Sequence, residues 1–206
     1  RALVRSIVAR AGPQLGLKLK AQHQTGIELI LVFAGSNSML AQDFEPSRLE
    51  LSKMSINRLL GELDQDKVGL IVFAGEPYVQ LPITSDYTTA RNFIAQASPD
   101  MVSKQGTAIG TAIELASNSF SSQSEGSRIM IISSDGENHE DDALAAAKAA
   151  SQKGIVIHTI GVGTPEGALI QIGDNLIEDE NGKPVVSKLD ELSLQQIALT
   201  TGGAYV

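Results

Sequence analysis

The sequence predicts an α/β domain: a doubly wound, mostly parallel six-stranded sheet in the order 3-2-1-4-5-6, with strand three antiparallel and helices on both faces. Two observations lead there. Short, almost wholly aliphatic runs recur (Leu29–Ala34, Lys67–Ala74, Arg128–Ser134, Ile155–Val162), each bounded by turn residues, as strands buried on both faces require. Between them lie segments with apolar residues at helical spacing, and such alternation means parallel strands joined by crossover helices.

Strand one, about Ile27–Ala34, stops abruptly at Gly35-Ser36-Asn37-Ser38. Pro46-Ser47 opens a helix to about Leu63, with Leu49, Met54, Ile56, Leu59, Leu60 and Leu63 at roughly helical spacing. Lys67–Ala74 is strand two. Gly75-Glu76-Pro77 is too short for a parallel crossover, so Tyr78–Ile83 is an antiparallel edge strand. Helices follow over about Tyr87–Ala97 and from Gly106-Thr107 to about Phe120. Arg128–Ser134 is strand four and ends in Asp135-Gly136. Asp141–Lys153 reads as an alanine-rich helix with two acids in its first turn, closed by Gly154. Strand five is Ile155–Val162. The segment 168–188 breaks the rhythm, and its Asn181-Gly182 signals a β-hairpin insertion. A last helix spans Leu189–Thr200, and Ala204-Tyr205-Val206 begins strand six.

The 206 residues suit one well-buried domain, and the formal charge of −8 argues against nucleic acid as the partner. Charge is unevenly placed. Residues 1–27 hold Arg1, Arg5, Arg10, Lys18 and Lys20 and no acid, while the rest carries 11 basic and 24 acidic residues. Residues 1–25, broken at Gly12-Pro13, are therefore expected to form a basic, membrane-proximal arm ahead of a domain at 26–206. The first residue is Arg, so the expectation is a piece of a longer chain. The absence of cysteine excludes disulfides, thiolate metal sites and cysteine nucleophiles.

Three loops carry candidate chemistry: Ser36 and Ser38, then Thr107, then Asp135. Hydroxyls and a carboxylate are hard oxygen donors suited to Mg²⁺. The plainer alternative is that the serines cap the segment they precede and that Asp135 makes an Asx-turn with Gly136. No G-x-S-x-G elbow and no phosphate loop with its lysine is present, so no enzyme is predicted. The rival readings of the same crevice are a small-ligand or phosphate-binding domain, a hydrolase, or a metal-free scaffold. His158 reads as a packed strand residue, and His139 has no companion at zinc-ligand spacing.

The stretches SNSMLAQDFEPSRLE, VGLIVFAGEPYVQLPITSDY, DMVSKQGTAIGTAIELA, SDGENHEDDALAAA and IGVGTPEGA resemble the von Willebrand factor type A domain, and within it the BatB-like members of the bacterial Bat (aerotolerance) family. The resemblance runs from about Gly26 to the end. It implies a metal-ion-dependent adhesion site of the form Asp-x-Ser-x-Ser, Thr and Asp, here Ser36, Ser38, Thr107 and Asp135, with Mg²⁺ as the ion. The first aspartate of that motif falls on Ala34, so the site is degenerate and its ion weakly held, with Asp43 and Glu137 the acids that could compensate. The resemblance further implies a protein-protein interaction module of a membrane-associated complex. An acidic residue of a partner subunit completes the metal site, and the domain is periplasmic, tied to the bacterial inner membrane by a segment preceding residue 1.

Overall fold

The computed structural model describes residues 26–102, 104–122, 126–138, 141–173, 175–179 and 181–206. The predicted basic arm at 1–25 and His139 lie outside the described residues. The central sheet has five strands in the order β3-β2-β1-β4-β5. They are β1 (Glu28–Ala34), β2 (Lys67–Phe73), β3 (Pro77–Thr84), β4 (Arg128–Ser134) and β5 (Ile155–Gly161). β1 lies parallel to both β2 and β4, β5 is parallel to β4, and β3 runs antiparallel to β2 with register shifts around Leu70. The helices are α1 (Arg48–Glu62), α2 (Tyr87–Gln96), α3 (Ile109–Ser119), α4 (Ala143–Gln152) and α5 (Glu191–Thr200).

Every residue of β1 is buried, which is why Leu29–Ala34 is continuously apolar rather than alternating, and the buried Glu28 accepts from Ser121 N–H at 3.1 Å. Burial of one such apolar side chain is worth about 1.5–3 kcal/mol, so this strand and its neighbours Val68–Ala74 anchor the core. Packing also includes buried polar pairs, among them the hydroxyls of Ser52 on α1 and Ser133 on β4, 3.0 Å apart.

Strand six is marked by an isolated bridge. Tyr205 makes a single parallel bridge to Thr159 on β5, at the outer position expected for strand six. Gly202, at φ +76°, and Gly203 turn the chain out of α5 to run beside β5, where Thr159 N–H donates to Ala204 O at 3.0 Å and Gly161 N–H to Val206 O at 2.9 Å. Segment 168–187 is more than one hairpin. β6 (Ala168–Leu169) pairs with β9 (Val186–Ser187), and β7 (Gln171–Ile172) pairs with β8 (Asn175–Leu176). The Asn181-Gly182 turn is closed by Gly182 N–H donating to Asp179 O at 2.9 Å and Asp179 N–H donating to Lys183 O at 2.8 Å.

The acids expected in the first turn of α4 divide their work. Asp142 is its N-cap, accepting from Ala145 N–H at 2.9 Å. Asp141 instead reaches back to α3, whose own N-cap residue Ala108 has no side chain to offer. Asp86 and Asp190 cap α2 and α5. Among the described residues no helix is long and apolar enough to cross a membrane.

Candidate functional site

In an open α/β sheet the ligand crevice lies at the carboxyl ends of the strands, where successive connections leave in opposite directions. Here that point is between β1 and β4: the chain goes from β1 to β2 on one side and later returns to β4 on the other. Loops carrying the predicted residues gather at this edge. Gly35 N–H donates to Phe73 O at the end of β2 (2.7 Å), and Ala108 N–H donates to Ala74 O (2.9 Å), so the Ser36 and Thr107 loops are pinned to the same strand end. Asn37 N–H donates to Gln105 Oε1 at 3.0 Å and joins the two loops directly.

Ser36, Ser38, Thr107 and Asp135 are all buried. The Ser36 and Ser38 hydroxyls lie 2.9 Å apart. Ser36 stands at the cap position of a four-residue 3₁₀ turn, Asn37–Leu40, but its side chain makes no capping bond, so its hydroxyl is spent on Ser38. Nor does Asp135 cap its own turn. Gly136 N–H donates to Ser134 Oγ at 3.1 Å, which leaves the Asp135 carboxylate to other partners. Gly136 has φ +78°, and a Cβ there would lie 2.5 Å from Asp190 O, so only glycine lets the loop pass.

Asp135 is fully buried. Burial pushes its carboxyl above the usual range, and Glu137 nearby adds to this. The Ser38 hydroxyl, the Arg48 guanidinium and the Ser187 hydroxyl pull the other way without cancelling it.

Arg48, the first residue of α1, is the site residue that reading the sequence as a helix start missed. Its side chain is 0% exposed. Nε and Nη2 donate to Asp43 Oδ1 and Oδ2 at 2.8 and 2.7 Å, a bidentate pair. Nη1 donates to Ser187 Oγ at 2.8 Å, Nη2 also donates to Ser187 O at 3.0 Å, and Nη1 stands 3.5 Å from Asp135 Oδ2. Ser187 Oγ in turn donates to Asp135 Oδ2 at 3.3 Å. A signal for Arg48 did exist: a cation in the first turn opposes the helix dipole and calls for a dedicated anion.

The two acids considered as substitutes for the missing aspartate have other work. Asp43 takes Arg48 and also accepts from Thr164 N–H at 2.8 Å. Burial pushes its carboxyl up, but the bonds from Arg48 and Thr164 prevail and hold it below the usual range. Glu137 accepts from Lys188 N–H at 2.9 Å while acting on Asp135 through space. Ala34 is 0% exposed, inside the core cluster at the end of β1. His158 is half-buried, its Nδ1 accepting from Ala204 N–H at 3.1 Å, a structural role.

The donor set suits a hard cation: hydroxyls and one buried carboxylate. Among the described residues there is no cluster of three or more His, Cys, Asp or Glu able to hold a metal, so an ion here would rely on hydroxyls and water around Asp135.

Residues 28–202 match the von Willebrand factor type A domain. The chain belongs to that family. Two solved structures share its fold over most of their length. An aerotolerance-related membrane protein from Bacteroides fragilis is 47% identical, with a TM-score of 0.85, covering 88% of this chain and 90% of that one. The conserved hypothetical protein BatB from Bacteroides thetaiotaomicron is 52% identical, also at 0.85, covering 88% and 89%. A UPF0353 protein of Mycolicibacterium paratuberculosis is 28% identical over 194 residues, 85% of this chain and 54% of its own. An uncharacterized protein of Borreliella burgdorferi is 28% identical over 166 residues, 48% of its length. The chain thus spans about half the length of these two curated relatives.

Proposed function

We propose that this domain is a protein-protein interaction module whose degenerate adhesion site, Ser36, Ser38, Thr107 and Asp135, holds Mg²⁺ weakly and presents it to an acidic side chain of a partner subunit. The observation that carries the reading is the gathering of paired hydroxyls and a fully buried carboxylate at the β1/β4 switch point. Kinship with a protein described as an aerotolerance-related membrane protein supports membrane association. The proposal places the domain in the bacterial periplasm, beside the inner membrane, and assigns it no catalysis. A phosphate ligand is less well served, because the Ser36 loop leads into a four-residue 3₁₀ turn and not into a helix whose N-terminus could cradle an anion.

Ala34 sets the weakness. Mg²⁺ sheds water reluctantly and needs carboxylate charge to do so. One carboxylate of the site remains. The test is calorimetric titration and thermal melting of the parent and of Ala34→Asp with Mg²⁺. Ala34→Asp is expected to be less stable than the parent in chelator, since two facing carboxylates oppose each other's ionisation, and more stable in millimolar Mg²⁺. Tight Mg²⁺ binding by the parent would show that Ala34 is no handicap. No binding by either form would sink the metal reading.

A further inference from the structure

We infer that Arg48 is a fixed internal counter-ion of this site and the residue that sets its affinity for a divalent cation. The inference rests on the cation site proposed at Asp135. Arg48 is committed to its place: the guanidinium is fully buried, Asp43 takes two of its N–H groups, and Ser187 takes two more through its hydroxyl and its carbonyl. Gly163 closes over the guanidinium so tightly that a Cβ there would stand 3.0 Å from Arg48 Cζ. The remaining direction points at Asp135 Oδ2, 3.5 Å away, and the Ser187 hydroxyl bridges the same two groups. Oδ2 is therefore already faced by positive charge and a donor. Oδ1 is approached by the Ser134 hydroxyl, at 3.4 Å, and the Ser38 hydroxyl also bonds the carboxylate.

A divalent ion at Asp135 must share the carboxylate with Arg48 and be repelled by it. With Ala34 in place of an acid, the site has one carboxylate divided between two cations. Asp43 moderates this: by holding two of Arg48's donors it keeps part of the positive charge turned away from Asp135. The two residues therefore act on cation affinity with opposite signs, which a purely structural role would not produce.

The experiment is Mg²⁺ titration by calorimetry, with thermal melting in chelator as a separate readout, on the full chain and on its Ala34→Asp form. Arg48→Met should tighten Mg²⁺ binding about tenfold, the size of one unit charge removed at close range in a partly screened site. Arg48→Lys, which keeps the charge, should bind Mg²⁺ like its parent although less stable. Asp43→Asn should weaken binding several-fold. If Ala34→Asp binds Mg²⁺ and Arg48→Met leaves that affinity unchanged or weaker, the role given to Arg48 is wrong while the cation site stands. Absence of any Mg²⁺ response in both the parent and Ala34→Asp removes the cation site and this inference with it. If Arg48→Met does not fold, Asp43→Asn decides, and unchanged or tighter binding by it overturns the inference.

Discussion

The Asp141 carboxylate closes the start of a helix that lies 30 residues earlier in the chain, accepting from Thr111 N–H at 2.7 Å and Thr111 Oγ1 at 2.8 Å. Its other oxygen accepts from Gly110 N–H at 2.9 Å. Those N–H groups open α3, immediately after Thr107. The cap therefore holds one wall of the candidate site as well as a helix.

Asp141→Ala should lower stability by about 1–3 kcal/mol, the loss of charge-assisted capping bonds at a helix that has no cap of its own. Asp141→Asn should lose less, because one oxygen acceptor remains. Urea unfolding of the three proteins checks this. A neutral Asp141→Ala would mean that water satisfies the start of α3.

Asp135 and Asp43 should give opposite pH signatures. Asp135 has a raised carboxyl pKa in the fold, so its ionised form is disfavoured there, and stability falls as pH rises through the window from 3.8 up to the folded value. Asp135→Asn is therefore expected to be more stable than the parent at neutral pH in chelator, with the advantage fading below pH 3.8. Asp43, held low, contributes stability above 3.8 that disappears as acid takes the pH down through its folded value. Asp43→Asn should flatten that acid limb and be less stable at neutral pH. Melting temperatures across the pH range decide both, and an Asp135→Asn protein destabilised equally at every pH would refute the first.

Residues 1–25 carry all the charge of one sign in this chain's opening. A protein beginning near Thr25 is expected to unfold cooperatively with stability close to the parent's, because the arm's charge is opposite to that of the rest and Gly12-Pro13 breaks it. Loss of soluble, folded protein on that truncation would make the arm part of the core.

Much of this architecture was legible because burial writes it locally. β1 and β4 announce themselves as unbroken aliphatic runs, and β4 begins and ends where its sequence suggests. Ser47 caps α1 through its own side chain, as the Pro46-Ser47 start implied. What escaped depends on partners distant in sequence. Asp141 looks like the first turn of α4 and serves α3. Arg48 looks like an ordinary surface-facing helix residue, yet it finds Ser187 across 139 positions. Nothing local distinguishes these cases except mismatches with local rules, such as a cation at a helix N-terminus.

Two glycines bear on how tightly Arg48 is packed. Gly163 has φ +143° and Gly154 has φ +73°, and both conformations are unfavourable to side chains. A Cβ at Gly154 would meet nothing within 4 Å, whereas one at Gly163 would lie 3.0 Å from Arg48 Cζ and 3.1 Å from its Nε. Gly154→Ala should therefore cost about 1 kcal/mol from the backbone alone. Gly163→Ala should cost distinctly more, about 2–4 kcal/mol, because the added methyl group presses on a buried guanidinium that has no room to yield without loosening Asp43, Ser187 or Asp135. The functional readout should separate them further. Mg²⁺ affinity measured in the Ala34→Asp background should be unmoved by Gly154→Ala and altered by Gly163→Ala, since only the second displaces charge beside Asp135. Equal stability losses for the two substitutions would mean that the loop at Gly163 relaxes freely, and that Arg48 is less rigidly held than its hydrogen bonds imply.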